Sequence, residues 1–125
     1  MILGIGTDIV EVERIQKMLE RHSESFARRV LSPQEQIKMA KRRDTAQFCA
    51  GRWAIKEAVS KALGTGIGAE CAMHEISTEN DDAGRPYVTL SGKALETFTK
   101  LGCSSVHVSI SHEKHYACAN VILEG

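Results

Sequence analysis

The chain has 125 residues, 16 of them basic and 16 acidic, with an isoelectric point near 7.0. This length fits one domain spanning residues 1–125. The balanced charge excludes the strong positive field of a nucleic-acid-binding domain, so we expect no nucleic-acid partner. The sequence lacks any apolar run of about 18 residues and begins without a basic signal segment. We therefore expect a cytoplasmic protein that does not contact a membrane.

The four cysteines are scattered along the chain, at positions 49, 71, 103 and 118. They show no C-x-x-C spacing of the kind found in redox or zinc sites. We expect them to be reduced and structural, since small buried thiols are common in helices and strands.

A strand is predicted over Ile2 to Val10, with Gly4, Gly6 and Asp8 on one face. Glycine inside a strand often marks close approach by a ligand or by another backbone. A carboxylate beside such an opening can hold a cation. The alternative is that Asp8 caps the following helix.

The next segment, Glu11 to His22, has helical periodicity. Arg14, Lys17 and Arg21 share one of its faces. Three cations on one face are typical of a solvated surface, but they also suit an acidic protein partner.

A second helix is predicted from the capping box Ser32-Pro33-Gln34-Glu35 to about Lys41. The basic run Lys41-Arg42-Arg43 follows it. Such a run either binds a phosphate or is simply solvated.

The central helix is predicted between a capping box, formed by Asp44 and Gln47, and a stop at Gly64. Its apolar residues cover two sides, which predicts a central position in the fold.

Glu57 and Lys61 stand on this helix among small and aromatic side chains. A partly buried carboxylate is costly unless an amine, hydrogen bonds or a metal compensates it. The alternative is a simple i, i+4 ion pair, worth about 0.2–0.5 kcal/mol. The loop Gly64-Thr65-Gly66-Ile67-Gly68 that follows would let backbone approach a ligand closely.

The second half of the chain alternates strands with one helix. The predicted elements are strands at Glu75–Glu79 and Arg85–Leu90, a helix from a Ser91 cap to Gly102, and strands at Ser105–Ser111 and Tyr116–Leu123. His112 at the tip of the last hairpin either contacts a ligand or is exposed. This order predicts an α+β fold with a small antiparallel sheet packed around a long central helix.

Four segments in register carry a family resemblance: GIGTDI at 4–9, FCAGRWAIKEAVSKALGTGIG at 48–68, GRPY at 84–87 and SISH at 109–112. Together they resemble the holo-acyl-carrier-protein synthases, the short class of 4'-phosphopantetheinyl transferase. The resemblance implies transfer of 4'-phosphopantetheine from coenzyme A to a serine of an apo acyl carrier protein, for fatty acid biosynthesis. It also implies Mg²⁺, release of adenosine 3',5'-bisphosphate, and a homotrimer with sites between neighbouring subunits.

The same resemblance assigns roles to individual residues. It makes Asp8 and Glu57 the metal ligands and, with Lys61, the catalytic set. The implied coenzyme A contacts are Arg43, Arg52, Lys61, Gly64, Thr65, Gly66, Arg85, Pro86 and His112, and the implied carrier contacts are Arg14, Lys17 and Arg21.

Two questions stay open from the residues. The acceptor of the serine proton is either a water polarised by the metal or one of the two carboxylates. The alternative to an enzyme is a module that only binds coenzyme A or a nucleotide, with Glu57 and Lys61 as an ion pair.

Overall fold

The polypeptide alternates between helices and antiparallel strands, and the structure, a computed structural model, describes all of residues 1–125. The helices are α1 (Val12–Val30), α2 (Pro33–Ala40), α3 (Thr45–Leu63) and α4 (Gly92–Lys100), with a short 3₁₀ turn at Met73–Glu75. The strands are β1 (Ile2–Glu11), β2 (Ile76–Asn80), β3 (Pro86–Leu90), β4 (Ser105–His112) and β5 (Tyr116–Glu124). The predicted α+β class is confirmed.

The strands form two sheets rather than one. A three-stranded antiparallel sheet has the order β1-β5-β4, and β2 and β3 form a separate hairpin. Helix α3 packs across β1 and β5 and is buried along most of its length, at the centre of a continuous apolar core. The predicted long central helix is therefore confirmed.

The contact between β1 and α3 depends on two glycines. A Cβ atom at Gly4 would collide with the carbonyl oxygen of Ala62, and one at Gly6 would collide with that of Ala58. The glycines thus serve the close approach of another backbone, one of the two explanations considered for them. Since strand residues alternate, the side chain of Asp8, two positions further on, also faces α3.

Replacing Gly6 by alanine should destabilise the protein by about 2 kcal/mol or more, because the strand must move away from the helix backbone. Urea denaturation measures this loss. The matched control is Gly68→Ala, since a Cβ atom at Gly68 meets no atom within 4 Å. Equal stability of the two variants would contradict the glycine argument.

Helix α1 is longer than predicted. The first helical segment breaks at the predicted end, His22, where the angles are non-helical (φ −145°, ψ 48°), but the helix then resumes and continues to Val30. The polar run after His22 hid two core residues, Phe26 and Val30, which are both buried. Their burial holds the second half of the helix in place.

The predicted caps have mixed outcomes. The Ser32 capping box is confirmed, with the Glu35 N–H donating to Ser32 Oγ at 3.2 Å and the Ser32 N–H to Glu35 Oε1 at 3.0 Å. Gly64 is the predicted stop of α3, in the left-handed region at φ 83°. The Asp44 capping box is wrong, because the Asp44 carboxylate pairs with the Arg42 guanidinium at 2.6 and 2.7 Å instead.

The start of α4 is capped from outside the helix. Ser91 occupies the N-cap position, but its side chain makes no capping hydrogen bond, contrary to the prediction. The Glu75 carboxylate instead accepts hydrogen bonds from the N–H groups of Lys93 and Ala94 at 2.8 and 3.3 Å. Partial burial opposes ionisation of Glu75, but these bonds and one from Ala72 hold its pKa below the usual value.

All four cysteines are free, as predicted, and Cys49 and Cys71 are buried. Burial raises the pKa of the Cys49 thiol to about 12, so the group stays protonated at neutral pH. None of the helices combines the length and the hydropathy that a membrane-spanning segment requires.

Candidate active site

Asp8 and Lys61 meet where β1 crosses the last turns of α3. Lys61 Nζ donates to Asp8 Oδ1 at 3.1 Å and to the Thr7 carbonyl at 3.0 Å. Helix α1 begins at a Glu11 cap, so the alternative role of Asp8 as a helix cap is wrong. The alternative ion pair between Glu57 and Lys61 is also absent, because Lys61 extends to the strand.

Glu57 lies one turn before Lys61 on α3 and has no hydrogen-bonding side-chain partner. Burial and then the negative charge of Asp8 raise its pKa above the usual 4.5, against the smaller opposing effects of Lys61 and Arg14. The two predicted carboxylates are therefore close enough to influence each other, although they lie 49 positions apart in the sequence.

This donor set fits Mg²⁺. The ion commonly takes one or two carboxylates and completes its shell with water and substrate phosphate oxygens. The structure contains no cluster of three or more histidine, cysteine or carboxylate side chains, which a closed zinc site would require. Asp8 and Glu57 thus offer an open, oxygen-only site.

The raised pKa of Glu57 predicts how the stability of the protein depends on pH. A carboxyl group with a raised pKa binds more protons folded than unfolded, so stability falls as pH rises through its pKa range. Replacing Glu57 by glutamine should therefore raise the Tm of the metal-free protein at pH 7, and the gain should vanish at about pH 4, below the usual pKa of glutamate.

Thermal unfolding in EDTA at both pH values checks this expectation. The control is Glu96→Gln, since Glu96 is an exposed residue of α4 that pairs only with Lys93. A Tm of the Glu57 variant at or below that of the unaltered protein at pH 7 would contradict the assigned electrostatics.

A cavity of about 610 Å³ opens beside Glu57. It lies between α1, α3 and the segment that follows α3. Most of its wall is apolar, contributed by Met18, Phe26, Val30, Trp53, Ile67, Ala72 and Met73, and its polar lining comes from His22, Ser25, Arg29 and Glu57. A ligand held at the carboxylates could therefore extend an apolar part into this space.

Trp53 forms the aromatic wall of the cavity. Its ring stacks on Phe26 with centroids 6.2 Å apart and an interplanar angle of 15°. The Arg14 guanidinium lies over the same ring, 5.7 Å from the centroid. Arg14, a predicted carrier contact, is thus tied to the wall of the site.

The predicted loop Gly64 to Gly66 follows Lys61 directly. Gly64 and Gly66 adopt φ angles of 83° and 67°, which favour glycine. The N–H groups of Thr65 and Gly66 both donate to the Ser60 carbonyl, at 3.2 and 3.1 Å. The loop is therefore a tight continuation of the helix end beside Lys61.

Three predicted coenzyme A contacts lie elsewhere on the subunit. The ring of His112 lies over Gly51 of α3. Arg43 lines a separate cavity of about 530 Å³ together with the first residues of α3. Arg52 is largely buried over the Phe48 ring, 4.5 Å from its centroid, and donates to Asn80 at 3.3 Å.

The separation between these groups follows from helix geometry. Phe48 and Lys61 are 13 residues apart on α3, or roughly 20 Å along the axis. Arg85 and Pro86 lie near Arg52 on the β2–β3 hairpin, because Pro86 begins β3 and pairs with Asn80, which accepts from Arg52. One subunit therefore brings Asp8, Glu57 and Lys61 together beside the loop Gly64 to Gly66. The predicted contacts nearer the start of α3 are Arg43, Arg52, Arg85, Pro86 and His112.

A buried ion pair between Lys56 and Glu35 was not predicted from the sequence. Lys56 Nζ donates to Glu35 Oε1 at 2.6 Å, to the Met73 carbonyl at 3.0 Å and to the Ile76 carbonyl. Glu35 Oε2 also accepts from the Thr78 N–H at 2.9 Å. Glu35 was recognised only as a capping residue, and nothing in its spacing indicated burial.

Comparison with known proteins identifies the family. Residues 4–121 match the model of the 4'-phosphopantetheinyl transferase superfamily. A holo-acyl-carrier-protein synthase of Vibrio campbellii is 50% identical over 98% of this chain and 98% of its own length. The chain belongs to the 4'-phosphopantetheinyl transferase superfamily.

Solved structures agree with this family. The Neisseria meningitidis holo-acyl-carrier-protein synthase superposes with a TM-score of 0.94 at 34% identity, over 100% of both chains. The Bacillus anthracis synthase, solved in complex with CoA (3',5'-ADP), gives 0.84 at 42% identity, over 100% of this chain and 98% of its own. The predicted family, the transferase-like fold and the prediction of an enzyme are thereby confirmed.

Proposed function

We propose that this protein, as one domain over residues 1–125, transfers 4'-phosphopantetheine from coenzyme A to a serine of an apo acyl carrier protein. The reaction requires Mg²⁺ and releases adenosine 3',5'-bisphosphate. The name of the Vibrio relative and the ligand in the Bacillus anthracis structure support these substrates. Free buried thiols suit a reducing cytoplasm, where we place this step of fatty acid biosynthesis.

The meeting of Asp8 and Glu57 beside an open cavity carries this proposal. These two carboxylates would hold Mg²⁺, which when bound neutralises diphosphate charge and fixes the phosphate oxygens. Displacement at a pyrophosphate needs charge neutralisation and alignment and little covalent chemistry from the protein. Two convergent acids and a nearby lysine match that requirement.

The other residues of the site would position the reactants. Lys61 can turn its ammonium group from Asp8 to a phosphate oxygen as a point charge. The backbone of Gly64 to Gly66 would run beside coenzyme A, which its lack of side-chain bulk permits. Glu57 can take up the serine proton at its carboxylate, directly or through a water that it holds, because a carboxylate within hydrogen-bond reach can act as a general base.

Replacing Asp8 or Glu57 by alanine should abolish the transfer while leaving the fold intact, since neither side chain is fully buried. Incubation with coenzyme A, Mg²⁺ and an apo carrier protein, followed by mass spectrometry, measures the mass gained by the carrier. The control, Glu96→Ala, removes an exposed carboxylate from α4 and should leave the rate unchanged. Unaltered turnover by either site variant would overturn the metal assignment, and no mass gain with the unaltered protein would favour a binding module.

The carrier protein would dock on α1. Arg14, Lys17 and Arg21 line a groove on this helix together with Met18 and His22, close to the cavity at Glu57. Acyl carrier proteins are acidic, so a basic helix there would steer the partner toward the carboxylates. Arg14, whose guanidinium lies over the Trp53 ring, connects this surface to the wall of the cavity at Glu57.

A homotrimer would explain two features of the single subunit. The outward face of the three-stranded sheet exposes Leu3, Ile5 and Ile9, with 72% of Ile5 exposed. Such an apolar face is typical of a subunit interface. Sites between neighbouring subunits would also bring Arg43 and His112 of one copy to the carboxylates of the next.

The change Ile5→Glu should convert the trimer to monomers, because it places a charge on the outward face of β1. Light scattering after size-exclusion chromatography measures the mass. The control is Ile37→Glu on α2, where an isoleucine is 62% exposed outside that face. A trimeric Ile5 variant, or a monomeric unaltered protein, would contradict the proposed interface.

A further inference from the structure

Lys61 is the one cation bonded to the site carboxylates. Its ammonium group sits 3.1 Å from Asp8 Oδ1 and 3.0 Å from the Thr7 carbonyl. The Asp8 side chain is only 14% exposed, whereas 51% of the Lys61 side chain is exposed. The largely buried Asp8 side chain is thus held in place, whereas the exposed Lys61 side chain is free to move.

We propose that Lys61 is the counter-ion of Asp8 in the free enzyme and yields this place to Mg²⁺ when coenzyme A binds. This inference rests on the proposed function, and it adds an order of events. The metal and coenzyme A enter together, and the ion does not occupy the free enzyme first.

The charges of the cluster support this order. Asp8, Glu57 and Lys61 together carry one net negative charge when all three are ionised, so Lys61 already balances one of the two carboxylates. An ion entering while the Lys61 ammonium group is bonded to Asp8 meets repulsion at the few ångströms involved. The diphosphate of coenzyme A removes this obstacle, because it offers Lys61 another anionic partner.

The backbone around Lys61 permits the exchange. Lys61 lies in the last turn of α3, and the helix ends two residues later at Leu63. Its four-carbon stem carries a compact charge that can change partners by rotation of the side chain alone. The Thr7 carbonyl can then accept a hydrogen bond from water, since its bond to Lys61 is exposed.

Calorimetric titration of MgCl₂ into the purified protein, with and without coenzyme A, tests the inference. Without coenzyme A, Lys61→Met should bind Mg²⁺ roughly tenfold or more tightly than the unaltered protein, because the competing charge is gone. Lys61→Arg keeps the positive charge and should bind Mg²⁺ as weakly as the unaltered protein does. Lys93→Met removes an exposed lysine from α4, which pairs only with Glu96, and should match the unaltered protein.

The outcomes of this titration distinguish failure of the Lys61 exchange from failure of the proposed function. Equal Mg²⁺ affinity of Lys61→Met and the unaltered protein without coenzyme A overturns the exchange while leaving the metal site standing. Unchanged Mg²⁺ affinity of Asp8→Ala relative to the unaltered protein in the presence of coenzyme A overturns the metal site itself. Because Lys61 is half exposed, the variants should fold, and circular dichroism of each confirms that the comparison is between folded proteins.

Discussion

The contact between the backbone of β1 and the backbone of α3 determines the rest of the structure. Gly4 and Gly6 let the strand lie directly against the carbonyl groups of Ala62 and Ala58. Any side chain at these positions would separate the two elements. The same alternation that turns the glycines inward turns Asp8 inward, so the packing that stabilises the core also places a carboxylate beside Glu57 and Lys61.

Two groups of charges lie on α3, and they differ in how completely they are satisfied. Lys56 is fully buried and finds three oxygen acceptors, so its charge is compensated within the core. Glu57, the next residue, has no ion-pair partner and carries a raised pKa. A partly buried carboxylate without an ion-pair partner is costly, and such groups concentrate at functional sites. Helix α3 thus carries one lysine whose charge is compensated and, next to it, one glutamate whose charge is not.

The sequence predicted those features that depend on local chemistry. The glycine stop at Gly64 and the Ser32 capping box each involve residues a few positions apart, and both are confirmed. The cap at Asp44 failed because Arg42, two residues away, competes for the same carboxylate. The helical segment after the break at His22 was missed because it is held by the tertiary burial of Phe26 and not by local periodicity.

Long-range pairings were harder to predict. The approach of Asp8 to Glu57 was expected only through the family resemblance, since no spacing rule connects a strand to a helix some fifty residues later. The pairing of Glu35 with Lys56 was not expected at all, because a capping glutamate is ordinarily solvated. Arg43, Arg52 and His112 are separated from Lys61 by distance along the axis of α3. Their positions along this helix are known only once the fold is known.

Trp53 is the only tryptophan of the chain, and it stands between Phe26 and the Arg14 guanidinium on the wall next to Glu57. Indole emission responds to the polarity and charge of its surroundings. The molecule therefore carries an intrinsic optical probe at the point where carrier, coenzyme and metal would converge, and no attached dye is needed to follow their arrival in real time.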